Sequence, residues 1–376
     1  MKSALAALLV AIPAGFAPLG ADCAARSRAP SIPPRCASAS AAPAAPAAAP
    51  AARSFIRGLC WEAGPRVTAE DFEPVRAVHA GWISQTPFGW QAGLGHPAIR
   101  LNTRSALGFG PFWGETDGGL AETSRLAHQA GIKVALKPHI WLHGGDWCGD
   151  IRMRSEADWR EWFDQYTTFI THYAALAERE GIEMLCVGTE LKNTSSREAD
   201  WRRVIAAVRR VYRGRLTYAA NWDGEVDSVR FWDALDDISV QAYYPLSSAG
   251  NPGLAELQSG WRRWDRELER AAARWNRRVI FTEVGYKSAR HSAERPWEWE
   301  PDGPVDLELQ SRCYEALFRT FWTRPWFGGL FLWKWAPRYG DAGGPEDREF
   351  TPQHKPAEEV LRRWFSAADN APAAAR

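Results

Sequence analysis

The chain has 376 residues and a formal net charge of +1, a balance that favours neither nucleic acid nor a strongly charged partner. Its six cysteines show no CxxC or Cys/His spacing, which argues against a zinc site. Hydrophobic residues make up 45% of the chain, enough for a large core, and 21 of its residues are tryptophan.

Residues 1–23 read as an export signal. One basic residue, Lys2, precedes an apolar run that is too short and too interrupted by proline to span a bilayer. Cys23 invites a lipoprotein reading, but Asp22 stands where such a signal needs a small neutral residue. Residues 24–53 are mostly Ala, Pro, Ser and Arg; they offer little apolar surface to bury and are expected to form a flexible linker. A single folded domain is expected over 54–368, followed by a short disordered tail over 369–376. No later segment is long and apolar enough to cross a membrane. The protein is therefore expected to be secreted or periplasmic, monomeric, and without stable membrane insertion once the signal is removed.

Along the folded part, short apolar runs alternate with amphipathic stretches. The runs are 56–62, 79–85, 132–142, 184–191, 215–223, 237–246, 278–286 and 328–335. The clearest helical patterns are 119–130, 156–180, 198–212, 254–275 and 306–323, with a last one over about 356–365. Strands alternating with helices predict a parallel sheet, and eight repeats predict closure into an α/β (β/α)₈ TIM barrel. An open doubly wound sheet would carry a glycine-rich phosphate turn after its first strand, whereas here that strand runs into Cys60-Trp61-Glu62-Ala63-Gly64. Export permits a disulfide, and Cys60 with Cys148 is conceivable; isolated buried thiols are the simpler state.

Barrels of this kind carry their sites at the C-terminal ends of the strands. The predicted ends supply Trp61-Glu62; Gln85, Thr86, Phe88 and Trp90; Lys137-Pro138-His139-Ile140-Trp141; Gly188-Thr189-Glu190; Asn221-Trp222-Asp223; Gln241-Ala242-Tyr243-Tyr244; Thr282-Glu283; and Trp333-Lys334-Trp335. Glu190 and Glu283 stand out. Each follows an apolar strand, where a carboxylate is costly to desolvate unless it is paired or used. They lie three β/α units apart and so face each other across the barrel mouth. Two facing carboxyls are what glycoside hydrolysis requires, and a separation of about 5–5.5 Å gives retention. The bland alternative is that one Glu pairs structurally with a buried cation such as Lys137. Trp near strand ends suits the stacking of aromatic planes on pyranose faces.

The segments Val187-Gly188-Thr189-Glu190-Leu191, Gln241 to Leu246, Phe281 to Tyr286 and Leu332 to Trp335 resemble the retaining (β/α)₈ glycoside hydrolases with catalytic Glu on strands 4 and 7, and most of all glycoside hydrolase family 113, the β-mannanases. The resemblance spans roughly residues 54–365. It implies that Glu190 is the general acid/base and Glu283 the nucleophile, acting on β-1,4-mannan or glucomannan. It also implies that Tyr243, or Tyr244 if the register is off by one, hydrogen-bonds the nucleophile. Many members of the clan have Asn before the acid/base; here Thr189 holds that place, leaving the sugar 2-hydroxyl contact to a residue such as Asn221.

Other substrate-binding candidates are Trp61, with Glu62 at a subsite rim, His139, Trp141, Trp222 and Trp333. Trp335 is expected either as a platform or packed below the site, and the loop over 296–300 either to extend the cleft or to cover the barrel end. His139 and His143 lie four residues apart on a strand and do not converge on one ion, so no metal and no cofactor is called for. Alternatives are a glycosidase for another β-glycan, a non-catalytic or assembly-linked polysaccharide-binding barrel, and a metal-dependent hydrolase. The last generally needs an HxH pair on strand 1, and 56–62 contains no His.

Overall fold

A computed structural model describes residues 55–101, 110–299 and 303–367. The expected export signal, linker and tail, with Cys23, Cys36 and Asn102, lie outside these residues. Eight parallel strands close into a barrel: β1 Ile56–Trp61, β2 Trp82–Gln85, β3 Lys133–Leu136, β4 Met184–Thr189, β5 Arg215–Asn221, β6 Ile238–Gln241, β7 Val279–Val284 and β8 Phe327–Trp335. Each strand pairs with its neighbours in sequence, and β8 closes the barrel on β1. The expected fold class is thus the observed one.

The major helices fall where the apolar periodicity placed them, including Glu156–Arg179, Glu198–Val211, Leu254–Trp275 and Leu307–Phe321. Their starts are fixed locally. Ser155 Oγ accepts from the Asp158 N–H at 3.1 Å, and the Asp306 carboxylate accepts from the Leu309 N–H at 2.9 Å, satisfying donors that the first helical turn leaves unpaired.

Two separate apolar clusters follow from the period-two alternation of the strands. Inside the barrel lie Ile56, Cys60, Trp82, Met184, Ile280 and Phe331. Between strands and helices lies a larger layer that includes Trp162, Trp201, Trp232 and Trp261, all fully buried. Part of the tryptophan content is therefore core.

The apolar run over 132–142 is not one strand. It breaks at Lys137-Pro138 into β3 and a second strand, His139–Leu142, which leaves the barrel. Pro138 has no N–H to continue a ladder. Beyond it, His139–Leu142 pairs in parallel with Phe88–Gln91, which pairs antiparallel with Ile99–Leu101. This three-stranded sheet stands above the barrel mouth and forms one wall of the site.

Candidate active site

Glu283, near the end of β7, is 5% exposed. Both carboxylate oxygens are engaged. Lys137 Nζ, at the end of β3, pairs with Oε1, and the Tyr243 hydroxyl donates to Oε2 at 2.8 Å. Lys137 also donates to His139 Nε2 at 3.0 Å. Burial is the largest influence on Lys137 and disfavours its ammonium, but the charge and hydrogen bond of Glu283, with contributions from Cys60 and Cys186, together hold it above its ordinary pKa. Burial, and then the Lys137 charge, push His139 well below its ordinary value, so the ring is neutral and its Nε2 accepts. Burial and the Glu283 charge raise Tyr243 well above the usual phenol range, so it stays a donor.

Glu190 stands one residue past β4 in a left-handed conformation, with φ of 53°. That conformation costs a non-glycine residue of order 1 kcal/mol and is held here by its surroundings. The Glu190 N–H donates to the Ala219 carbonyl at 2.9 Å, and Asn221 Nδ2 donates to Glu190 Oε1 at 2.6 Å. Burial, and next the charge of Glu283, push Glu190 up to about 7, against smaller lowering by Asn221, Lys137 and Trp147. The preceding motif is packed, not open. A Cβ on Gly188 would lie 2.6 Å from Trp201 and 2.7 Å from Tyr218, and Thr189 Oγ1 turns into the barrel toward the Pro138 carbonyl at 3.4 Å.

Glu190 and Glu283 open onto one cleft. His139, Trp141, Asn221, Trp222, Tyr243 and Trp333 line it with them. Trp222 stacks on Trp297, with ring centroids 4.8 Å apart. Trp297 and Trp299 also face the cleft, so the loop after β7 extends it; Glu300 of that loop lies outside the described residues.

Two candidates lie elsewhere. Tyr244 is buried against Trp264, Trp261 and Trp222 on the helix side of the barrel wall. Tyr243 alone reaches the carboxylate; both tyrosines lie past the end of β6, where the turn sets which of them points inward. Trp61 is also turned outward. Cys60 takes the inward position on β1, while Trp61 stacks on Phe72 at 4.9 Å. Glu62 accepts from Lys334 Nζ at 2.6 Å, and Trp335 is buried against Tyr339 in the layer between strands and helices. Cys60 and Cys148 are free buried thiols, as are Cys186 and Cys313. Cys60 Sγ faces the Thr282 carbonyl at 3.5 Å and Cys148 Sγ the Thr189 carbonyl at 3.8 Å, so the conceivable Cys60–Cys148 bridge is absent.

Sequence reading singled out neither Trp147 nor Glu225. Trp147 comes from an irregular loop with no periodicity. Glu225 is fully buried, accepting from the Asn221 N–H and from the Tyr218 hydroxyl, both at 2.6 Å. Tyr218 in turn accepts from the Leu191 N–H at 3.1 Å, tying the segments after β4 and β5 together. The run Asn221-Trp222-Asp223-Gly224-Glu225 held no local signal that its last residue turns back under its first.

A closed eight-stranded parallel barrel with two carboxyls in one aromatic-walled cleft defines a (β/α)₈ glycoside hydrolase. Residues 103–355 match Glycoside Hydrolase Family 113, and the chain belongs to that family. Among solved structures, the GH113 β-mannanase AaManA from Alicyclobacillus acidocaldarius, in complex with ManMIm, is 34% identical, with a TM-score of 0.70 over 84% of this chain and 98% of that one. A second GH113 β-1,4-mannanase structure is 28% identical, with a TM-score of 0.71 over 84% and 99% of the two chains. A β-glucuronidase from Ruminococcus gnavus, 15% identical with a TM-score of 0.54, covers 83% of this chain and 50% of its own and shares the fold. Among curated proteins no sequence matches.

Proposed function

We propose that this protein is an exported, monomeric β-mannanase that cleaves β-1,4-mannan or glucomannan with retention, using Glu190 as acid/base and Glu283 as nucleophile. The observation that carries this reading is the opposite setting of two carboxyls in one cleft. Glu283 is ion-paired to Lys137 and hydrogen-bonded by Tyr243. Glu190 is raised to about 7. One is held as the anion a nucleophile must be, and the other keeps a proton near neutrality.

In the first step, a Glu283 oxygen attacks the anomeric carbon while Glu190 protonates the departing glycosidic oxygen. The Glu283 charge is then consumed in the ester. This removes one of the causes that raise Glu190, which now gives up a proton more readily and takes one from the attacking water. Water attack breaks the ester and restores both carboxyls. Asn221, bonded to Glu190, is the candidate for the sugar 2-hydroxyl contact. Trp141, Trp222 with Trp297, and Trp333 offer ring faces for the sugars, and His139 offers a neutral polar edge.

The substrate reading is supported by family membership and by the two mannanase structures. It is tested by product analysis on mannan, glucomannan, cellulose and xylan, with the anomeric configuration of the first product followed by NMR. Release of the β-anomer from mannan supports the reading; the α-anomer, or preference for cellulose or xylan, overturns it. Export is supported by the pattern of residues 1–23, and among the described residues no helix is long and apolar enough to cross a membrane. Cell fractionation with N-terminal sequencing of the mature protein tests it, and sedimentation tests the monomer.

A further inference from the structure

We propose that Trp90, with Trp141 and His143 beside it, forms a distal sugar subsite on the outer face of the three-stranded sheet, binding a further β-linked unit of the chain cleaved between Glu190 and Glu283. This rests on the substrate reading above. It starts from the alternation of the two paired strands. In Phe88–Gln91 and in His139–Leu142, half-buried residues alternate with buried ones. The register sets Phe88 opposite His139 and Trp90 opposite Trp141. The face bearing these four residues is the half-buried one, and the opposite face, with Gly89, Gln91, Ile140 and Leu142, packs inward.

This phase cannot slip. A Cβ at Gly89 would lie 2.5 Å from the Phe169 ring, so no larger residue fits the inward position, and Trp90 is held outward. Gln91 locks the next residue: its Oε1 accepts from Trp162 Nε1 at 2.9 Å and its Nε2 donates to the Gly93 carbonyl at 2.8 Å.

The outward face is a continuous aromatic row. It begins at His139, whose Nε2 lies 3.8 Å from Glu283 Oε1. Phe88 packs edge-on to His139 and Trp141, both at 5.7 Å. Trp90 lies 6.2 Å from Trp141 and 5.5 Å from His143. Along the strand, His139 to His143 spans about 13 Å, longer than one sugar ring. Phe88 and Trp141 line the cleft itself, and Trp90 continues the same surface beyond them. The strand phase turns Trp90 outward, and a tryptophan left half-buried there, continuing the aromatic wall of a sugar cleft, is placed for a ring that the catalytic subsites do not hold.

The experiment compares Trp90→Ala, Trp90→Leu and Trp90→Phe with wild type on a short aryl β-mannoside and on β-1,4-mannohexaose. For Trp90→Ala and Trp90→Leu, kcat/KM on the hexaose falls about tenfold, mainly through KM, as expected for lost uniform binding. On the short substrate it stays within about twofold, and Trp90→Phe keeps most of the preference for the longer chain. An equal loss on both substrates, or no loss on the hexaose, overturns the subsite while leaving the substrate reading intact. Failure of the wild type to cleave either compound overturns the substrate reading and the subsite with it. Leu retains the bulk of the side chain, so a folding failure of the Ala variant does not remove the comparison.

Discussion

The Tyr243 hydroxyl donates to Glu283 Oε2 at 2.8 Å, on the carboxylate oxygen that Lys137 leaves free. The two partners divide the anion between them: one supplies charge, the other a neutral donor that burial keeps protonated. Tyr243→Phe therefore leaves the ion pair standing and removes one hydrogen bond to a charged group, a difference of about 1.5–3 kcal/mol. We expect kcat to fall by roughly 10- to 100-fold with little change in folding, measured by steady-state kinetics alongside thermal melts.

Lys137 differs because it is 1% exposed and opposite a buried carboxylate. Lys137→Met leaves Glu283 buried without its counter-charge, which costs about 3–5 kcal/mol in stability. Thermal melting should show a fall of several degrees together with loss of activity. A variant as stable as wild type at neutral pH would show that the ion pair is not closed in solution.

The alkaline limb of the pH–rate profile should follow Glu190. With its pKa raised to about 7, kcat/KM is expected to decline above that pH as the proton is lost. Asn221 bonds the ionised form and lowers the value, so Asn221→Ala should move the alkaline limb to higher pH. Glu283 raises it, so in Glu283→Gln the Glu190 carboxyl should titrate at lower pH. Opposite movements, read from a pH–rate profile for the first variant and carboxyl NMR for the second, check both signs.

The same shift carries a stability consequence. The native state holds the Glu190 proton more tightly than the unfolded chain, whose carboxyl titrates near 4.5. This group's contribution is therefore most favourable below about pH 4.5, is lost as pH rises through about 7, and is constant beyond. Glu190→Gln should gain stability relative to wild type between pH 4 and pH 8, by on the order of 3 kcal/mol. Parallel melting curves across that range would refute the assignment.

Glu225 ties the backbone of Asn221 to Tyr218, and through Tyr218 to Leu191, beside Glu190. Glu225→Ala leaves the buried Asn221 N–H and the proton of the Tyr218 hydroxyl without an acceptor, each costing about 1–3 kcal/mol. A large drop in melting temperature is expected. In the fraction that folds, kcat should fall more than KM rises, because Asn221 no longer holds Glu190 in place.

The barrel and its two carboxyls were legible in the sequence because both lie where a regular pattern ends. Each Glu follows a wholly apolar strand, and the spacing of the repeats sets them across the mouth. Legibility failed where regular alternation stops. Strand β6 ends at Gln241, so the choice between Tyr243 and Tyr244 rests on turn geometry that periodicity does not encode. On β1, the register against β8 shifts between Leu59 and Trp61, and a tryptophan that reads as a cleft platform faces the helix layer. The small sheet was hidden inside one apolar run, although Pro138 marked the break. Trp147 and Glu225 act through contacts made only after the chain turns back on itself.

The four thiols of the barrel have a practical corollary. Each is enclosed singly by packed side chains and carbonyls, so the domain requires no oxidative cross-link to reach its native form. Produced as residues 54–368 in a reducing host cytosol, the domain should mature fully, and dithiothreitol should leave its melting temperature where it was.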